Sequence, residues 1–179
     1  MGMSLVVWLK LIGCLMVFAG CTALGMKLSA RLAERQRALS KLMEILLNLK
    51  NQICSLGVPL YAAFEEIGTE GTGGLWSEIF LRCSQVMKEQ RMDAGSAWKK
   101  AISENRGLLP LESSDWDSID DFGELLGKSD RYNQEAVLDM ARESIAVLEK
   151  KAEEAVRTKG KLYRNLGALC GAAVVILLI

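Results

Sequence analysis

The residues best suited to chemistry are five carboxylates in ten positions: Asp115, Asp117, Asp120, Asp121 and Glu124. Paired carboxylates can move protons or hold a metal. The chain offers them little help, because it contains no histidine, which removes imidazole acid–base work, nucleophile pairs built on histidine, and imidazole metal ligands. The five cysteines, Cys14, Cys21, Cys54, Cys83 and Cys170, are scattered and never stand in a C-x-x-C arrangement. Zinc needs clustered ligands and a disulfide framework needs an even, patterned count. The cysteines therefore read as small buried hydrophobes in a reducing compartment. The glycine-rich stretch Gly68–Gly74 lacks the Gly-Lys-Ser/Thr ending of a phosphate-binding loop. The carboxylates fit a capped, solvated helix face better than a catalytic site: Ser113 or Ser114 can cap a helix there, with Asp115 and Asp117 in its first turn, where the helix dipole favours negative charge. We expect no enzyme, no cofactor, no metal and no small-molecule substrate.

The elements that carry these residues are helical. Only two prolines, Pro59 and Pro110, occur in 179 residues, and apolar positions recur at helical spacing. A first helix is expected from about residue 27 to 54, with Leu28, Leu32, Leu39, Leu42, Leu46, Leu49 and Ile53 on one side and Gly57 closing it. Pro59 suits the first turn of a second helix. A third runs from Leu75 to about Gln90, and Asp93 caps a fourth that holds Ala97 and Trp98. The fifth carries Trp116, Ile119, Phe122, Leu125 and Leu126 and ends at Gly127. Ser129 caps a long sixth helix whose stripe is Val137, Met140, Ala141, Ser144, Ile145, Leu148, Ala152 and Ala155, with Gly160 as its bend. Trp76, Trp98 and Trp116 read as core anchors.

The two ends differ from this middle. Leu11–Met26 is a run of sixteen uncharged residues, and Asn165–Ile179 a run of fifteen. A bilayer core of roughly 30 Å asks for about 20 helical residues, so both must borrow flanking positions whose basic side chains snorkel. Gly13 and Gly20 in the first, and Gly167 and Gly171 in the second, supply small faces for helix packing. Lys27, Arg31, Arg35, Arg37 and Lys41 follow the first run, and Lys150, Lys151, Arg157, Lys159, Lys161 and Arg164 precede the second. Positive residues beside membrane segments stay in the cytoplasm. The expected organisation is a transmembrane helix over residues 4–26, a cytoplasmic helical domain over 27–161 and a transmembrane helix over 162–179, with both termini outside. With 22 basic and 22 acidic residues in the whole chain, no net basic field calls for nucleic acid. A second reading takes Phe18-Ala19-Gly20-Cys21 as a lipoprotein cleavage box, which would make the chain a lipid-anchored helical interaction module on the outer face.

Leu126-Gly127-Lys128-Ser129-Asp130-Arg131-Tyr132-Asn133-Gln134 resembles the L-G-x-S-D-x-x-x-Q signature of the stage III sporulation protein AB family. The tail Tyr163–Gly171 with Val174–Ile179 is similar too, as are Leu9–Gly13, Val58-Pro59-Leu60 and Ala97-Trp98, so the likeness covers nearly the whole chain. That family resembles the cytoplasmic F-domain of inner-membrane platform proteins in type II secretion and type IV pilus systems. The resemblance implies an all-α fold with a six-helix cytoplasmic bundle between two transmembrane helices. It implies a platform subunit of the mother cell–forespore channel in endospore formation, sitting in the mother-cell membrane. The implied partners are a cytoplasmic secretion-type ATPase, stage III sporulation protein AA, and other channel subunits. Within the signature, Leu126, Gly127, Ser129, Asp130 and Gln134 are candidates for a docking corner between helices five and six; the alternative is that they only build a well-capped turn.

Overall fold

A computed structural model describes residues 2–128 and 133–178. Seven α-helices account for nearly all of them: α1 Gly2–Lys50, α2 Leu60–Thr69, α3 Ser77–Glu89, α4 Ala94–Asn105, α5 Ser113–Lys128, α6 Gln134–Ala155 and α7 Lys161–Leu178. The described residues contain no strand. The chain divides into two compact units, residues 35–151 and a unit made of 1–34 with 152–179.

In the larger unit the helices pack in sequence order, α2 on α3, α3 on α4 and α4 on α5. As the helical recurrence of apolar residues predicts, Leu39, Leu42, Leu46 and Leu49 of α1 are buried, with Ile53 just beyond. The centre is aromatic. Phe64, Phe80, Trp98 and Phe122 form a chain of edge-on ring contacts, with Trp98 lying 5.3 Å from Phe80 and 5.2 Å from Phe122. Such edge-on pairs add about 0.5–1.5 kcal/mol each beyond the area they bury. Buried indoles need acceptors, and two of the three buried tryptophans donate to a backbone carbonyl of another helix: Trp76 Nε1 to Ala38 O at 2.8 Å and Trp98 Nε1 to Ile119 O at 3.0 Å. Helix α5 lies so close to α4 that a Cβ at Gly123 would overlap the Trp98 ring. At Gly68 a Cβ would come within 2.5 Å of Leu81 Cβ, which sets the approach of α2 to α3. On the far side α1 is stitched to α6 by Gln36 Nε2 donating to Glu149 Oε1 and by Lys50 reaching Asp139.

Several boundaries differ from the sequence reading for local reasons. The end of α1 falls where expected, near residue 54, but its last turn, Asn51–Ser55, is a π turn before Gly57 turns the chain with φ of 68°. Pro59 precedes α2 instead of entering it, its extended ψ of 140° placing its carbonyl to accept from Ala62 and Ala63. Trp76 sits in a 3₁₀ turn ahead of α3. Ser113 is already helical, so Glu112 holds the cap position of α5, its carbonyl accepting from Asp115 and Trp116. Gly127 lies within α5, which runs to Lys128. Helix α6 is described from Gln134, with Asn133 O accepting from Val137 N; Ser129, the expected cap, lies outside the described residues. Asp93 caps α4 as expected, its carboxylate accepting from Ser96 N at 3.0 Å. Leu28 on α1 and Met140 on α6, both expected in apolar stripes, are exposed, and on α6 Leu138, outside the expected stripe, is buried.

The smaller unit holds the apolar end of α1, the end of α6, the π turn Val156–Gly160 and α7. The bend expected at Gly160 is therefore a widened turn, not a break.

Candidate packing and docking sites

The five carboxylates do not act together. Asp115 is fully buried, and both its oxygens are occupied. Arg35 grips it with two parallel hydrogen bonds of 2.7 Å, Nε to Oδ2 and Nη2 to Oδ1, while Glu112 N–H donates to Oδ2 at 2.9 Å. Arg35 also reaches Glu112 Oε1 at 3.2 Å, and the Asp115 hydrogen bonds hold its guanidinium pKa above the ordinary value. The pair ties α1 to the start of α5. This corrects the reading of Asp115 as part of a solvated face, which holds for Asp117 and Asp121. The missed signal was spacing. Asp115 shares the stripe of Ile119, Phe122 and Leu126, and Arg35 that of Leu39, Leu42 and Leu46, so both charges fall on core faces.

Asp120 and Glu124 line a cleft of about 300 Å³ with Asp93, Ser96, Lys99 and Gly123. The Asp93 carboxylate is engaged as the α4 cap, and Ser96 holds its pKa below the ordinary carboxylate value. Among the described residues no three His, Cys, Asp or Glu side chains are placed to share a metal ion.

At the corner of α5 and α6, Leu126 is buried and Gln134 is half-buried at the first position of α6. Gly127 belongs to α5, while Ser129 and Asp130 lie outside the described residues. Beside this corner Lys50 Nζ bridges Glu135 at 3.0 Å and Asp139 at 2.7 Å, and these partners, Asp139 foremost, raise its pKa. The end of α1 is thereby clamped to the start of α6. Cys54, expected to be buried, is exposed in the same neighbourhood; partial desolvation of the thiol and then Glu135 push its pKa up. Leu56 presents 74% of its surface to solvent just beyond the π turn.

In the smaller unit the small residues bring α1 and α7 together, though not all of those expected. A Cβ at Gly167 would stand 2.8 Å from Cys21 O and 3.1 Å from Gly25 Cα. One at Gly171 would stand 3.0 Å from the Phe18 ring, and one at Gly160 3.2 Å from Ser29 Oγ. Gly25, which the sequence reading passed over, is the counterpart of Gly167. At Gly13 and Gly20 a Cβ would meet nothing within 4 Å. Around this seam large apolar side chains face outward: Trp8, Leu15, Met16, Leu24, Leu169 and Ile176 are all more than half exposed. Among the described residues one helix, through Ile12–Ser55, is long and apolar enough to cross a bilayer.

Comparison with known proteins adds a family to this geometry. The family model described as Stage III sporulation protein AB matches residues 10–179. A Bacillus subtilis (strain 168) protein described as stage III sporulation protein AB is 27% identical over 170 residues, covering 95% of this chain and 99% of that one. A solved structure of a stage III sporulation protein AB (SpoIIIAB) superposes with a TM-score of 0.61 at 26% identity, over 69% of this chain and 97% of that chain.

Proposed function

This chain belongs to the stage III sporulation protein AB family, and on that premise we propose that it is a non-enzymatic membrane platform subunit of the channel between mother cell and forespore. In this reading two transmembrane helices, over residues 4–26 and 162–179, flank a cytoplasmic F-domain-like bundle. The bundle receives a cytoplasmic secretion-type ATPase, stage III sporulation protein AA, and passes its action to channel subunits in the mother-cell membrane. The docking corner is Leu126–Gln134.

One observation carries the membrane part. The largest fully buried apolar side chains, Trp76, Trp98, Phe64 and Phe80 among them, all lie in the larger unit, whereas the smaller unit leaves most of its big apolar side chains exposed, with Met16 at 71% and Ile176 at 76%. Water disfavours so large a contiguous apolar surface; lipid does not. Support for the scaffold role comes from the carboxylates: the buried one is consumed by Arg35, and the chain has no histidine to work with the others.

The test is a two-part experiment on the full chain. After carbonate washing it should stay with membranes, and a cleavage site placed at Lys100 should be cut in inverted vesicles but not in intact cells. Release by carbonate, or cutting in intact cells, overturns the topology. Separately, Asp130→Arg should abolish capture of the ATPase while leaving the melting temperature unchanged; a variant that captures normally removes the docking corner.

A further inference from the structure

We propose that the α1–α7 unit holds an anionic phospholipid, its headgroup on a band of positive charge and an acyl chain in an apolar groove between the two helices. The proposal rests on the membrane reading above and adds to it a ligand.

The band follows from the helix register. Gly160 faces Ser29, and Gly25 faces Tyr163 and Gly167, so α1 and α7 run antiparallel with these pairs at matching levels. Lys27 and Arg31 bracket Ser29, while Arg157, Lys159, Lys161 and Arg164 bracket Gly160. At about 1.5 Å per residue the six cations fall within a layer roughly 10 Å deep. All six are exposed, and none makes an ion pair among the described residues. Elsewhere the cations Arg35, Lys50, Arg82 and Lys88 each meet a carboxylate. The π turn Val156–Gly160 lies within this layer and supplies two of its cations.

The groove is a separate observation. Cys14, Leu15, Phe18, Ala172, Val175 and Ile176 line an open apolar depression of about 380 Å³. Its near edge is Phe18, eleven residues before Ser29, which is about 16 Å along the helix. Half of a roughly 30 Å hydrocarbon core is about 15 Å. A headgroup held at the band therefore sends its tail to the level of the groove. A free phosphate would satisfy the band alone; only a lipid satisfies both. Charge complementarity selects an anionic headgroup over a zwitterionic one.

The test uses the full chain in detergent, titrated with phosphatidylglycerol or phosphatidylcholine and read by native mass spectrometry for retained lipid. Retention should favour phosphatidylglycerol by at least about tenfold. Each cation near an anionic headgroup is worth about fivefold, so Arg157→Gln, Lys159→Gln and Lys161→Gln together should remove about a hundredfold of affinity. Ala172→Phe, which fills the groove and leaves the band intact, should shorten retention. Inorganic phosphate should not displace the lipid. Equal retention of both lipids, an unaffected triple variant, or displacement by phosphate overturns the site. If these occur in a protein that resists carbonate, only the lipid site falls; if carbonate releases the wild type, the membrane reading falls and takes the site with it. Circular dichroism of both variants checks that helicity is unchanged.

Discussion

Arg35 and Asp115 stand eighty positions apart in the chain and meet through two parallel 2.7 Å hydrogen bonds in the interior of the larger unit. Removing one partner of a buried pair strands the other, at about 3–5 kcal/mol, while replacing both by apolar residues of similar size is often neutral or better. Asp115→Ala should therefore lower the unfolding free energy by about 3–5 kcal/mol. Arg35→Met with Asp115→Leu should recover most of it. Chemical denaturation of the three proteins checks this, and additive losses would show that the pair is not one unit.

Helix glycines usually gain about 1 kcal/mol on replacement by alanine. At Gly123 the sign should reverse, because the added methyl meets the Trp98 ring, and at Gly68 because it meets Leu81. We expect Gly123→Ala and Gly68→Ala each to lose about 1–3 kcal/mol. Trp98 fluorescence should shift in the first and not in the second.

The α1–α7 seam gives a contrast within one unit. Gly167→Leu should lower the melting temperature of the detergent-solubilised chain, since a Cβ there already crowds Cys21 O and Gly25 Cα. Gly13→Leu and Gly20→Leu, in open space, should leave it unchanged. Equal losses at all three would contradict this seam.

Acid should weaken the fold in part through two carboxylates. Ser96 holds Asp93, and Arg82 holds Glu104, below the ordinary carboxylate pKa. Both favour the charged form when folded, so their stabilisation is complete above the ordinary range and fades as pH falls through the lowered values. Asp93→Asn keeps a good cap. It should match the wild type near neutrality and lose less stability on acidification, as thermal melts from pH 7 to 3 would record.

Burial pushes the Cys83 thiol up to about 12. Maleimide at pH 8 should label exposed Cys54 in the native protein and spare Cys83 until denaturant is added; early labelling of Cys83 would indicate an open α3.

Helix identity was legible wherever period and punctuation agreed. Asp93 before Ala94, Gly57 after the leucine stripe and the three core tryptophans all appear where spacing puts them. Boundaries were less legible where two nearby residues could cap. Ser113, Ser114 and Glu112 are all adjacent to α5, and the outcome turned on Asp115 reaching back to Glu112 N–H once Arg35 had fixed its side chain.

The amino-acid order alone determined that the chain is helical, that its apolar runs sit apart from its charged middle, and which side chains form the core stripes, because those properties repeat along one helix and need no neighbour. Tertiary structure decided which of five carboxylates leaves water, and which glycines meet another backbone. Asp115 and Asp117 are two positions apart and so point to opposite sides of α5; only the presence of α1 and its Arg35 makes one side dry. Gly25 and Gly20 are equally small, and only the register of α7 puts Gly167 against one of them.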